Sequence, residues 1–229
     1  MSPARIIEQA RTRGIQIVGI CDHNSAENTQ AAVEAASRRG LHVLPGMEVT
    51  TAEEVHLLAL FDRLEAVQEL QRLVYRHLPG ESDEDAFGIQ VVASADDDVL
   101  GFNNRLLIGA TTLRLEQVVS STRALGGLAI AAHIDRESFS LIGQLGFVPD
   151  GLPLDALEVS PALSLEEAAR RYDLCMPLVQ SSDAHSIEEI GRCRTRLLMK
   201  QPSVEEIRKA LQGREGRRCI RYGAGIQDR

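Results

Sequence analysis

Apolar and polar positions alternate along this chain in blocks, each short enough to be one strand or one helix. Ser2-Pro3 opens an amphipathic stretch that closes at Gly14, with Ser at the cap and Pro at the first helical position. Gly14 to Ile20 is a mostly apolar, β-branched run of the kind that forms a parallel strand covered on both faces. Ser25 then caps a helix carried by Ala31, Ala32, Val33, Ala35 and Ala36 to Arg39, where Gly40 ends it. Leu41 to Leu44 reads as a second strand leading through Pro45-Gly46 to Met47-Glu48, and Val55 to Phe61 as a third. The helix from Leu64 to His77 keeps Leu64, Val67, Leu70, Leu73 and Val74 at helical spacing. From Pro79 to Arg105 the rhythm breaks into Gly, Ser and seven acids, which predicts an inserted loop with at most one short strand. Regular alternation resumes with a helix over Leu113 to Leu125, a strand over Gly127 to Ala132 and a short helix over Ser138 to Leu145. A strand at Ala156 to Val159, a helix at Leu165 to Tyr172, a strand at Leu178 to Gln180 and a helix at Val204 to Leu211 follow. Repeated βα units with apolar strands predict a parallel α/β architecture, either a barrel or an open doubly wound sheet.

Composition narrows what such a fold could do. At 229 residues, 44% hydrophobic and 25% charged, the chain can bury one core and is neither disordered nor low-complexity. Its formal charge of -8 disfavours stable nucleic-acid binding by charge, although the stretch from Gly213 to Arg229 gathers five Arg against Glu215 and Asp228. Aromatics are only 3%, with no Trp, so stacking platforms for single strands are scarce. No apolar run reaches the length of a bilayer span, so no membrane is expected. Cys21, Cys175, Cys193 and Cys219 are widely spaced and form no CxxC pair, which predicts reduced thiols. The opening residues lack a secretory h-region, and the expected location is cytoplasmic.

Candidate chemistry collects at the carboxyl ends of the predicted strands, where parallel α/β folds gather their functional groups. Four of these ends carry metal-capable side chains: Asp22-His23, Glu48, His133 and Asp183-Ala184-His185. One such end is weak evidence, because a strand-end His is often structural and an acid there is often a helix cap; four together point to a metal. In extended backbone Asp183 and His185, at i and i+2, face one cavity. Asp22 and His23 are neighbours, so only one of them faces inward, with His23 taken as ligand and Asp22 as a supporting or capping carboxylate. Glu48 has two oxygens with which to bridge ions ~4 Å apart. His56 lies at the beginning of a strand and fails the strand-end rule. His42 and His77 lack companions and are read as structural. Phosphate loops, nucleophile elbows, HExxH helices and dinucleotide fingerprints are absent from the sequence. Asp96-Asp97-Asp98 does not continue as an EF-hand loop, which leaves the insert as a solvated loop, with a lid over substrate as its functional alternative.

Four stretches, taken in order, resemble the PHP (polymerase and histidinol phosphatase) metallohydrolases. They are Gly19-Ile20-Cys21-Asp22-His23-Asn24, Gly46-Met47-Glu48-Val49-Thr50 through Val55-His56-Leu57-Leu58, Ala132-His133-Ile134-Asp135-Arg136, and Ser182-Asp183-Ala184-His185. The resemblance implies an α/β fold of the distorted (β/α)7, TIM-like barrel type and divalent ions that hydrolyse phosphate esters. It also implies His23, Glu48, His56, His133, Asp183 and His185 as metal ligands, which restores His56. The family's opening strand with its H-x-H pair has no counterpart before Asp22. The expectation is a barrel without its first strand, with Met1 internal to a longer reading frame or the chain shortened, and with Glu48, His56 and His133 still able to form a three-ligand site.

On this reading residues 1–212 form the hydrolase domain, with 79–105 inserted, and 213–229 form an Arg-rich tail. One to three ions are expected, with Zn, Mn and Fe all suited to His and carboxylate donors. Arg136 is the candidate phosphate clamp, since a guanidinium matches phosphate oxygens bidentately. The expected partner is a small phosphorylated substrate or a nucleotide. Alternatives are a catalytically impaired barrel that serves as a binding module, and a nuclease that trims oligonucleotides.

Overall fold

The computed structural model describes residues 1–172 and 176–220. Helix α1 (Pro3–Thr12) leads into β1 (Ile17–Ile20), α2 (Thr29–Ser37), β2 (His42–Thr50), β3 (His56–Leu60) and α3 (Leu64–Arg76). The acidic insert follows as α4 (Glu84–Phe87), β4 (Val91–Ala93) and β5 (Val99–Phe102). The chain then continues through α5 (Leu115–Ala124), β6 (Leu128–Ala131), α6 (Leu141–Leu145), β7 (Ala156–Val159), α7 (Leu165–Tyr172) and β8 (Leu178–Gln180). It closes with β9 (Arg196–Leu198), α8 (Val204–Leu211) and β10 (Arg218–Ile220). Six strands form one curled half-barrel sheet in the order β1-β2-β3-β6-β7-β8, as expected of a distorted barrel.

The sheet is mixed where a parallel one was expected. β1 pairs parallel with β2, and β6, β7 and β8 pair parallel in turn, but β3 runs antiparallel to both β2 and β6. A five-residue connection from Thr50 to His56 is far too short for a crossover helix, so the chain has to return alongside itself. The reversal brings the start of β3 to the same end of the sheet as the finish of β2 and β6. β2 is also longer than predicted, because Pro45-Gly46 continues the strand. A side chain at position 46 would meet Cys21 Sγ and Leu60 Cδ2, each within 2.8 Å, so glycine is what lets β1 and β3 close over β2.

Apolar layers cover both faces. Met47, Val49, Leu57 and Ala59 pack with Val67, Leu70 and Val74 of α3 and Val118 of α5. Leu44, Leu128 and Ile130 pack with Val204, Ile207 and Leu211 of α8. A third cluster joins Ile7, Ala32, Ala35 and Ile20 under α1 and α2.

The insert is more structured than a solvated loop. β4 and β5 form a hairpin, and Asp96 pairs with Arg38 at 2.8 Å. Asp97 accepts the Ser2 hydroxyl at 2.8 Å and the Ala4 amide at 3.2 Å, thereby capping α1 from a distance. Ser25 does not cap α2, which begins after Asn28; its hydroxyl lies 2.9 Å from that of Tyr75. Near the carboxyl end β10 pairs with β9, and Arg217 is buried against Glu206 through bonds of 2.8 and 2.9 Å. Arg217 is therefore part of the fold and not of a free tail. Arg221 and Cys175 lie outside the described residues. Among the described residues Cys21 and Cys193 form no disulfide, and burial pushes the Cys21 thiol up in pKa.

Candidate metal centre

The centre starts from an extension of the β1–β2 ladder. Beyond β1 the pairing continues as a parallel bridge between His23 and Glu48, with the Glu48 amide donating to Asp22 O at 3.1 Å and the Asn24 amide to Glu48 O at 2.8 Å. Asn24 fixes this corner. It is buried in the left-handed region at φ +49, donates through Nδ2 to the carbonyls of Leu107 and Gly109 at 2.8 Å each, and accepts the Thr50 amide at 3.0 Å. Thr50 pairs with His56 across β2 and β3, and the Ala132 amide donates to His56 O at 3.0 Å. His133 follows at once. Antiparallel pairing thus explains why a histidine at the start of a strand belongs with residues at the ends of others.

Four side chains meet there. Glu48 Oε1 lies 3.0 Å from His56 Nδ1 and 3.4 Å from His133 Nε2, and those two ring nitrogens are 3.2 Å apart. Glu48 Oε2 is 3.4 Å from His23 Nδ1, which is buried without a hydrogen bond, as is the far nitrogen of His133. Donor atoms of His23, Glu48 and His56 all fall within 4.8 Å of one another. The expected trio had His133 in place of His23; both approach Glu48. Phe139 stacks on the His56 ring at 4.8 Å and closes one side.

The electrostatics suit a cation. Burial pushes Glu48 toward its neutral form, but hydrogen bonds from His133 and His56 outweigh it and hold the carboxyl well below the usual range. Burial lowers the pKa of His23 and so favours the neutral imidazole that ligates metals. Ring nitrogens that face each other can share only one proton, so the cluster leaves lone pairs converging in a buried site. A divalent ion would satisfy them. By donor chemistry and spacing, these residues could hold one.

Asp183 and His185 reach the same mouth differently. Asp183 lies in the left-handed region at φ +43, so the triplet is a turn and not the extended i, i+2 pair expected. The strand has already ended at Gln180, so ladder pairing no longer imposes extended backbone there. The turn still brings His185 Nδ1 to 3.9 Å from Asp183 Oδ1, and the His185 ring lies 6.2 Å from that of His23. Asp183 is paired with the guanidinium of Arg136. Asp22 stands apart from the cluster, its carboxyl raised in pKa by burial beside Asn28. It lines a cavity of about 560 Å³ shared with His23, Asn28, Ile89, Val91 and Asn103. Outside the centre, His77 Nδ1 lies 3.0 Å from Thr112 Oγ1, and Nε2 of His42 is buried without a partner.

One acid escaped the sequence reading. Glu158 sits in β7, which is buried at all four positions, and its carboxyl oxygens accept the His133 amide at 3.3 Å and the Ser181 hydroxyl. Burial raises its pKa. An acid within Ala156-Leu157-Glu158-Val159, otherwise wholly apolar, is the signal that could have found it.

Comparison with known proteins is decisive at the family level. The PHP domain model matches residues 1–137, and a PHP-associated model matches 165–215. The chain belongs to the PHP domain family. Among curated relatives, YqxK of Bacillus subtilis (strain 168) is 28% identical over 95% of this chain and 57% of its own length. The lesion-specific endonuclease EndoQ of Pyrococcus furiosus superposes at a TM-score of 0.71 with 22% identity, over 96% of this PHP chain and 53% of its own. Endonuclease Q in complex with a 27-mer duplex carrying an abasic lesion gives 0.65, also at 22%, over 95% of this chain and 53% of its own. The chain therefore spans little more than half the length of these relatives. With a fold neighbour described in complex with a duplex substrate, the expectation that stable nucleic-acid binding is unlikely is not supported.

Proposed function

We propose that this PHP chain is a metal-dependent hydrolase of phosphate esters that acts on a small phosphomonoester or a nucleotide. The observation that carries the reading is the convergence of His23, Glu48, His56 and His133 on one buried point, with Arg136 and Asp183 at its mouth. A divalent ion, with Zn, Mn and Fe all suited to these donors, supplies acidified water and neutralises charge on the phosphoryl oxygens. His23, Glu48, His56 and His133 would hold it from the ladder side, with Asp183 and His185 as further ligands from the other side. Arg136 presents its guanidinium to phosphate oxygens, which compete with Asp183 for the same N–H groups. Asp22, next to His23 in the chain, serves as a supporting carboxylate at the edge of the adjoining cavity. Residues 1–212 serve as the hydrolase unit, with 79–105 as its insert, and the expected tail from 213 is in part built into it, because β10 pairs with β9 and Arg217 is buried against Glu206. No helix among the described residues is long and apolar enough to cross a membrane, and the dispersed cysteines favour the cytoplasm.

Hydrolysis of an aryl phosphate in added Mn tests this reading. Turnover that vanishes with chelator and returns with metal supports it, and no turnover with any of the three metals overturns it. A nuclease is the second reading, favoured by the fold neighbour's duplex complex. Cleavage of an end-labelled oligonucleotide without release of phosphate from mononucleotides would select it.

A further inference from the structure

We propose that Glu158 is a positioning residue that ties the two sides of the centre together. Its consequence for metal rests on the reading above, whereas its geometry stands alone. β7 lies between β6 and β8, all parallel, so the end of β7 is flanked by the ends that launch His133 and Asp183. Glu158 is only 2% exposed. Through Oε2 it accepts the His133 N–H at 3.3 Å, its own carbonyl accepts the Ile134 N–H at 2.8 Å, and Oε1 takes the Ser181 hydroxyl. Both carboxyl oxygens are thereby committed to aiming backbone and side chain, not to ligation.

The need for such a brace is visible in the backbone. His133 and Asp183 adopt φ +29 and +43, a region that non-glycine residues occupy only when their surroundings impose it. The bond to the His133 amide holds one of these strained residues directly, with its Nε2 directed at Glu48 and His56. Ser181, two residues before Asp183, anchors the entry to the other. Ser182 continues the anchoring by donating to Cys193 O at 3.0 Å and accepting the Gly191 amide at 2.8 Å. One carboxylate therefore spans from the His/Glu side to the Asp/His side.

Titration calorimetry with Mn on the full chain tests the brace. Loss of a group that orients a ligand typically weakens metal affinity by about 10–100-fold, and that is the result expected for Glu158→Ala and Glu158→Leu. Glu158→Gln should stay within about threefold, because its amide oxygen still accepts from His133 and its amide nitrogen can donate to Ser181 Oγ. Ser181→Ala should fall between them. A metal-free readout runs in parallel: the His133 amide proton should move upfield in Glu158→Leu and hold its shift in Glu158→Gln. Folded Glu158→Leu with wild-type Mn affinity, or with an unmoved His133 amide, overturns the inference. Should the Ala and Leu variants not fold, Ser181→Ala at wild-type affinity, or Glu158→Gln as impaired as His133→Ala, overturns it. Wild-type protein that binds no Mn defeats the metal reading instead, while the amide shift still decides the brace.

Discussion

Glu48, His56 and the His23 bridge are parts of the strand ladder and His133 lies two residues beyond it, whereas Asp183 and His185 hang from a turn past the end of β8. The first side is dry except at His23, whose side chain is 30% exposed: His133 is 1% exposed and Glu48 5%. The second is wet at its tip, with the His185 side chain 66% exposed. Sheet pairing fixes the first set before any ion arrives, because register dictates which residues face each other. The second set depends instead on a left-handed residue and an ion pair with Arg136, outside the strand ladder. The contrast divides the labour: the ladder side holds, and the turn side adds to it.

The strongest way to break that division is Glu48→Ala. It removes the carboxylate that three imidazoles approach, two through Oε1 and one through Oε2, and Mn affinity measured by calorimetry should fall more than about 1000-fold. A loss below tenfold would mean that the ladder side is not the holder. Asn24→Ala comes next, acting on the scaffold instead of the donors. Three hydrogen bonds made by this buried side chain, at about 1 kcal/mol each, predict a loss near 3 kcal/mol in urea unfolding. A loss under 1 kcal/mol would show that this corner is not held by Asn24.

His185→Ala sharpens the contrast from the other side, with a loss of affinity of no more than about tenfold, since an exposed ligand on a turn adds least to a preformed site. An effect as large as that of Glu48→Ala would erase the distinction. The smallest effect concerns a region remote from both sides. Arg217 and then the Lys200 amide lower the pKa of Glu206 from 4.5 to about 2. Its folded pKa lies below the unfolded one, so the stability it confers is complete above pH 4.5 and drains away as pH falls toward 2. The melting difference between wild type and Glu206→Gln should therefore shrink between pH 5 and pH ~2.5 while the metal centre plays no part. A difference that stays constant over that range would contradict this.

Much of the fold was legible because short apolar runs bounded by turn residues have few alternatives. Ala156–Val159, Leu165–Tyr172, Leu178–Gln180 and Val204–Leu211 fall at the boundaries read from the sequence. Strand direction was not legible, since a run such as Val55 to Phe61 looks the same whichever way it is paired, and that is why His56 needed the family resemblance. β9 and β10 are only three residues each and begin with Arg, too short for alternation to register. Asp183 and His185 were found by an extended-backbone argument, but the fold joins them through a turn. Asn24 stood within a quoted motif without a role, because a buried side chain that caps distant carbonyls leaves no local pattern.

Anomalous diffraction from crystals equilibrated with Mn or Zn addresses the central claim most directly. A peak within about 2.0–2.3 Å of His23, Glu48 and His56, with His133 beside it, is the predicted result. Density for the ion elsewhere on the chain, or a cluster that stays empty at saturating metal, would contradict the account.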